Sequence, residues 1–122
     1  MIKRKAVLLL VMFTLFFLNI GNARDVFHGS LQRYENGAVV DIHRAFAVIA
    51  EYQEIEDRGL TTEDADYYVL LSQANDHFYD AVRTVARREG YDMIARKSAP
   101  PVRNLDLPDI TESIIDVLTG DD

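Results

Sequence analysis

The 122-residue chain contains no cysteine, and it has little of the histidine, glycine and serine patterning on which enzymes depend. The absence of cysteine excludes disulfides, cysteine metal sites, a thiol nucleophile and lipidation at an N-terminal cysteine. The three histidines are His28, His43 and His77, and only His77 with Asp80 has a spacing that could place two ligands on one helix turn. Since structural and catalytic metal sites need three or four ligands, we predict no metal and no cofactor.

Other catalytic patterns are missing as well. No serine lies in a nucleophile-elbow sequence, and no glycine-rich loop is present to bind phosphate. The carboxylates of Glu51, Glu54, Glu56 and Asp57 are scattered along one predicted helix, which is typical of a solvated face. An enzyme is therefore the interpretation that the sequence supports least.

The N-terminal segment has the features of a secretory signal peptide. Residues 1–5 (MIKRK) are basic, residues 6–18 form an uncharged apolar run, and Gly21-Asn22-Ala23 offers small residues at the positions that signal peptidase reads. We predict cleavage after Ala23 and export to the periplasm. An uncleaved membrane anchor is the alternative, but a spanning helix needs about 20 apolar residues and this run is shorter.

Positive charge is also scarce once the leader is removed. Residues 24–122 contain ten Lys and Arg against twenty Asp and Glu, a net charge of −10. Such a chain repels nucleic acid and anionic lipid headgroups, so neither is predicted as a partner.

The first half of the exported chain predicts an irregular arm, a strand and a helix. Residues 24–36 show no clear periodicity and are predicted to form the arm. Residues 37–42 are short, apolar and β-branched, as in a strand buried on both faces, and Asp41 is placed to cap the helix that follows. That helix is predicted to run from residue 42 to about residue 57. Its apolar stripe is formed by Ile42, Ala45, Phe46 and Ile49.

A second, longer helix is predicted to follow a turn at Gly59 and to end at Gly90. Thr61 or Thr62 supplies its N-cap. Its apolar residues recur with heptad spacing and, with Phe46 and Ile49 of the first helix, predict the seam of an antiparallel hairpin spanning about residues 42–90. The seam residues on the second helix are Tyr68, Leu71, Asn75, Phe78, Val82 and Val85. Asn75 has two interpretations, a buried polar residue that fixes register or a residue that faces water.

The end of the chain predicts two strands and a closing helix. Residues 91–97 alternate, with Tyr91, Met93 and Ala95 inward, and residues 102–107 are predicted to form a returning edge strand after the two prolines. Asp109 or Thr111 is predicted to cap the last helix, which ends at Gly120. The predicted class is α+β, a small body of about three strands with a helical hairpin and a C-terminal helix.

The order of these motifs resembles the Skp/OmpH family of periplasmic chaperones, as a short-armed variant. The motifs that carry the resemblance are VVDIHRAF (residues 39–46), EGYDMI (residues 89–94) and DITESIIDVL (residues 109–118). The resemblance covers residues 37–46 and about residues 78–118, and it marks residues 37–122 as one Skp/OmpH-like domain.

The resemblance implies a homotrimer with a shared β-body and projecting helical arms that hold unfolded outer-membrane proteins. We expect apolar burial in that assembly from Val39, Val40, Ile42, Met93, Ile94, Ile110, Ile114 and Ile115. The leading hypothesis is a non-catalytic, chaperone-like holdase. The alternative is an accessory subunit of a cell-envelope complex that uses the body only for docking. Among the aromatic residues, Tyr68 is predicted to be core, while Tyr67 is left either packed or exposed as part of a binding tip.

Overall fold

A computed structural model describes residues 25–121, in which three short strands and four helices form an α+β fold. The strands are β1 (Val26–His28), β2 (Gly37–Val40) and β3 (Met93–Arg96). The helices are α1 (Ile42–Ala47), α2 (Ala50–Asp57), α3 (Ala65–Glu89) and α4 (Thr111–Thr119). The predicted class is confirmed, whereas the predicted signal peptide lies outside the described residues. None of the helices in the described part of the chain is both long and apolar enough to span a bilayer.

The sheet is mixed, with β3 in the centre and the order β1-β3-β2. Strand β1 is antiparallel to β3, and β2 is parallel to β3, with Gly37 opposite Met93 and Val40 opposite Arg96. Parallel neighbours need a crossover connection, which the first three helices provide. The helical hairpin is therefore an insertion between the two parallel strands.

Strand β1 corrects the prediction that residues 24–36 form an irregular arm. It is only three residues long, too short for a periodic pattern, yet Phe27 is buried and its ring packs edge-on against Phe78 at 4.9 Å. Gly29 ends the strand with φ +74°, and a Cβ atom there would lie 2.0 Å from the backbone oxygen of Asp92. Only glycine allows this close approach to β3. The folded domain therefore begins before residue 37.

The predicted returning strand at residues 102–107 is not a strand in the structure. Pro100 and Pro101 lead into successive turns, in which Val102 is nevertheless buried. The chain returns to the sheet at Asp109, which forms a single parallel β-bridge with Val39. In this bridge the Val39 N–H donates to the Pro108 carbonyl and the Ile110 N–H donates to the Val39 carbonyl, both at 2.9 Å. The third strand of the sheet is thus β1.

The sheet is covered on both faces, which explains why β3 does not follow the predicted alternation. One face carries Ile94 into the main core with the helices, and the other carries Met93 and Ala95 into a second cluster. The second cluster is closed by Val102, Leu107 and nearby residues of the loops. Ile94 is the exception on the polar side of the predicted alternation, and it is fully buried because helices lie on its side of the sheet.

The first predicted helix is two helices separated at Val48 and Ile49. Ile49 adopts an extended backbone (ψ 124°) and stands at the N-cap of α2, and the Gln53 side chain donates to the Ala47 carbonyl at 2.8 Å. Consecutive β-branched residues weaken a helix at this point. The break leaves both Phe46 and Ile49 buried in the main core.

The antiparallel pairing of α2 and α3 follows from two contacts. Glu51 at the start of α2 pairs with His77 in the middle of α3 at 3.2 Å, and Arg58 just after α2 pairs with Asp66 in the first turn of α3 at 2.9 Å. Thr61 and Thr62 do not cap α3. Asp64 occupies the N-cap position, and its side chain accepts from the Thr61 N–H at 2.9 Å. Gly90 ends the helix in the left-handed conformation, as predicted.

Candidate functional site

Two of the sequence motifs meet where β2, β3 and α4 converge. The Asp41 side chain caps α1 by accepting from the backbone of His43 and Arg44, and the Asp41 N–H donates to the Thr111 hydroxyl at 2.9 Å. Asp109 accepts from the Thr111 N–H at 3.0 Å, from the Thr111 hydroxyl and from the Lys97 ammonium at 2.9 Å. Thr111 is only 1% exposed. These residues join three elements through hydrogen bonds, which gives them a structural role.

Asp109 is the electrostatic centre of this junction. Burial on its own would raise the pKa of its carboxyl group, but the hydrogen bonds from Thr111 and the interaction with Lys97 outweigh burial and lower the pKa from 3.8 to about 2. A carboxyl group with a lowered pKa stabilises the folded state above its unfolded pKa. That contribution is lost as the pH falls from about 4 to about 2.

We predict that Asp109→Asn lowers the free energy of unfolding at neutral pH by about 1–2 kcal/mol. The full shift would correspond to about 2 kcal/mol, and solvent screening reduces it because a third of the side chain is exposed. Urea unfolding between pH 2 and 7 measures the effect, and the difference from the parent should disappear near pH 2. Asp106→Asn is the control, since Asp106 is exposed and makes no side-chain contact within residues 25–121. An equal loss of stability at all pH values would contradict this role of the Asp109 charge.

The EGYD motif is also structural. The Asp92 side chain accepts from the backbone N–H groups of Glu35 at 2.8 Å and Asn36 at 2.9 Å, and these bonds lower its pKa. The Asn36 amide donates to the Gly90 carbonyl at 2.7 Å. The motif therefore fastens the end of α3 and the start of β3 to the segment that precedes β2.

Most residues predicted for assembly are buried within a single chain. The side chains of this group with almost no exposed surface are Val39, Val40, Met93, Ile94, Ile110 and Ile114. They pack in the two core clusters of the single chain, and their contribution to an interface between copies stays a prediction. Ile42 and Ile115 are half-buried and keep some surface.

The predicted seam is displaced by one residue in the first half of α3. Phe78, Val82 and Val85 are buried, Leu71 is half-buried, but Asn75 is exposed and Tyr68 is 56% exposed. Ala74 and Ala81 are buried instead, and Tyr67 is half-buried. Counted back from Val85, Tyr67 is 18 residues away, about five full turns, whereas Tyr68 is rotated by roughly 100°. Asn75 therefore faces water, and Tyr68 is not core.

One histidine and two acids lie along a single groove between α2, α3 and α4. His77 and Glu51, with Asp80, line a groove of about 350 Å³ whose other walls include Ile49, Ala81 and Leu118. His77 is paired with Glu51, and Asp80 with Arg83. Within residues 25–121, no three His, Asp or Glu side chains converge to hold a metal ion.

The two most exposed large apolar side chains of residues 25–121 lie at the hairpin tip, which we define as residues 54–69. Tyr68 and Val69 are 56% and 55% exposed, and Leu105 is the one other large apolar side chain this exposed within the described residues. The rings of Tyr67 and Tyr68 contact edge-to-face, with centroids 5.2 Å apart. The sequence indicated the two tyrosines as a possible tip but gave no sign of Val69, because its exposure depends on the true rotation of α3.

Comparison with known proteins does not assign this chain to a family. No protein-family model, curated protein or solved structure matches this chain. The functional inference therefore depends on the residues and their geometry.

Proposed function

We propose that the chain is an exported, non-catalytic and chaperone-like protein that binds unfolded or outer-membrane polypeptides. The observation that carries the proposal is the adjacent pair of exposed apolar side chains at the hairpin tip, Tyr68 and Val69. Within residues 25–121 only Leu105 is a comparably exposed large apolar side chain, and exposed apolar side chains that lie next to one another are a feature of binding surfaces. The leader-like sequence of residues 1–23 supports export to the periplasm.

The resemblance to Skp/OmpH chaperones is part of the same proposal. Its support is that each motif has a structural role in a body that carries a helical hairpin. A homotrimer remains the proposed assembly, and it would use surface that the single chain leaves available, such as Ile42 and Ile115. Light scattering on a sizing column measures the assembly, with three chain masses expected and one chain mass contradicting it.

A second candidate function is an accessory docking subunit of a cell-envelope complex. The small size of the exposed apolar patch favours it, because a holdase for many clients needs more apolar surface than two adjacent side chains. The core location of six predicted assembly residues favours it as well, since a single chain already has a complete core.

An aggregation assay distinguishes the two candidates. A holdase added at one equivalent should slow the aggregation of a urea-diluted outer-membrane protein by several-fold, because the bound segments are withheld from one another. The Tyr68→Ser/Val69→Ser variant should lose most of this effect, whereas Leu105→Ser should retain it. No slowing by the parent protein, together with recovery of one defined envelope protein by cross-linking, would replace the holdase with the docking subunit.

A further inference from the structure

We propose that the hairpin tip binds a basic polypeptide segment that presents apolar side chains between its lysines or arginines. The inference rests on the proposed polypeptide-binding function and adds the chemistry of the bound segment. It is carried by two features of the tip that occur together, an ordered apolar patch and a strong excess of negative charge.

The apolar patch is held in place rather than loose. Tyr67 is half-buried, and its ring contacts the exposed ring of Tyr68 edge-to-face. Ile55 is buried at this end of α2 although it lies outside the main core, so the tip has packing of its own. Tyrosine offers a large contact area with few rotatable bonds, so binding at Tyr68 costs little conformational entropy. An apolar side chain of a partner would find a fixed surface here.

The charge of the tip is strongly negative. Residues 54–66 contain one basic residue, Arg58, whose guanidinium is held between Glu54 at 3.3 Å and Asp66 at 2.9 Å. These two acids raise the pKa of Arg58 further, so it stays charged. The six carboxylates of this stretch belong to Glu54, Glu56, Asp57, Glu63, Asp64 and Asp66.

Three of these carboxylates are available to a partner. Glu56, Asp57 and Glu63 are exposed and make no side-chain hydrogen bond or ion pair within residues 25–121. They do not converge on a cation site, because the described residues contain no group of three acids placed to hold a metal ion. Spread negative charge beside an apolar patch complements a partner whose positive charges are also spread, as along a polypeptide. An acidic segment would be repelled at the same surface.

Fluorescence anisotropy with dye-labelled synthetic peptides tests the inference on the purified exported protein. The probe is a peptide of alternating lysine and leucine. Matched peptides replace every lysine with glutamate, or every leucine with serine. We expect the lysine–leucine peptide to bind, with an affinity that falls as salt rises, because exposed charges are screened. The two matched peptides should bind at least tenfold more weakly.

Two tip variants assign the two halves of the surface. Tyr68→Ser/Val69→Ser should weaken binding more than tenfold, and the triple change Glu56→Gln, Asp57→Asn, Glu63→Gln should weaken it about tenfold and flatten its salt dependence. The matched controls are Leu105→Ser for apolar exposure and, for charge, the triple change Asp76→Asn, Glu89→Gln, Asp106→Asn at exposed acids outside the tip. Both controls should bind as the parent does, and unchanged helical circular dichroism shows that every variant folds.

The outcomes separate this inference from the proposed function. The inference is overturned if the tip variants bind the lysine–leucine peptide as tightly as the parent does, or if the parent binds the glutamate peptide as tightly as the lysine–leucine peptide. The proposed polypeptide-binding function would then be retained, with its binding surface elsewhere on the chain. If no peptide binds while aggregation of an outer-membrane protein is slowed, the basic-segment inference fails and the holdase function stands. If no peptide binds and aggregation is not slowed, both the basic-segment inference and the holdase function are contradicted.

Discussion

Phe78→Ala is expected to lower the free energy of unfolding by about 3–5 kcal/mol. Phe78 is 1% exposed and lies where α3, β1 and α1 meet. Its ring centroid is 4.9 Å from that of Phe27 and 5.1 Å from that of Phe46. Removing the ring leaves a cavity that three elements cannot close together, and it also removes the aromatic contacts with Phe27, Phe46 and Tyr79. Urea unfolding followed by circular dichroism measures the loss.

Tyr68→Ala is the matched control, because heptad spacing placed Tyr68 and Phe78 on one seam. With 56% of Tyr68 exposed, its replacement should change stability by no more than about 0.5 kcal/mol. Comparable losses from the two substitutions would mean that the heptad register describes α3 better than the structure does, and the exposed tip would then not exist.

The contrast between these tyrosine and phenylalanine positions shows what periodicity can and cannot determine. The existence of α3, its end at Gly90 and its inner residues Phe78, Val82 and Val85 follow from apolar spacing and from one glycine. The rotation of its first half does not, because a heptad and a straight helix differ by roughly 20° every seven residues. Over the 17 residues from Val85 to Tyr68 this difference amounts to about 50°. It adds to the offset of about 50° between two seam positions of a heptad and turns Tyr68 toward solvent.

The sheet was predictable in part for a different physical reason. Strand β2 is four residues of Gly, Ala and Val buried on both faces, and its sequence indicates as much. Strand β1 is held by Phe27 and by the turn at Gly29, which are contacts with residues more than 50 positions away. Residues 102–107 carry apolar side chains because they cover Met93 and Ala95, and composition cannot distinguish a covering loop from an edge strand.

Within the three motifs, the sequence predicted capping roles for Asp41 and Asp109 but not the contacts of Asp92. Asp41 and Asp109 accept hydrogen bonds from backbone groups two or three positions further along the chain, whereas Asp92 accepts from the backbone of Glu35 and Asn36, more than 50 positions away. Such long-range acceptors have no local signature, since an aspartate beside a strand is equally suited to capping, turning or facing water. From the sequence, the candidate site was indicated only by the adjacent Tyr67 and Tyr68. The exposure of Val69 could not be predicted, because it depends on how α3 is rotated about its axis.

The substitution Ile94→Ala tests the two-sided sheet and should lower the free energy of unfolding by about 2–5 kcal/mol. Ile94 has no exposed surface, and it packs in the main core, while its neighbours Met93 and Ala95 pack on the opposite face. The alternation of residues 91–97 puts Ile94 on the same side of the strand as Asp92 and Arg96, although Ile94 is also one of the residues expected to be buried on assembly. On a strand face that is open to water in the single chain, its truncation would cost almost nothing. Chemical unfolding of the variant decides between these two positions for the same side chain.

Ile115→Ala is the comparison, because it makes the same substitution at a side chain that is only half-buried, on α4. We expect it to lower the free energy of unfolding by less than half as much as Ile94→Ala does. Met93→Ala should resemble Ile94→Ala, since both faces of β3 are closed. A large loss at Met93 with a small one at Ile94 would show that the helices do not cover β3. In that case the hairpin would be detached from the body, and its tip would be positioned by something other than the core formed by Phe27, Phe46 and Phe78.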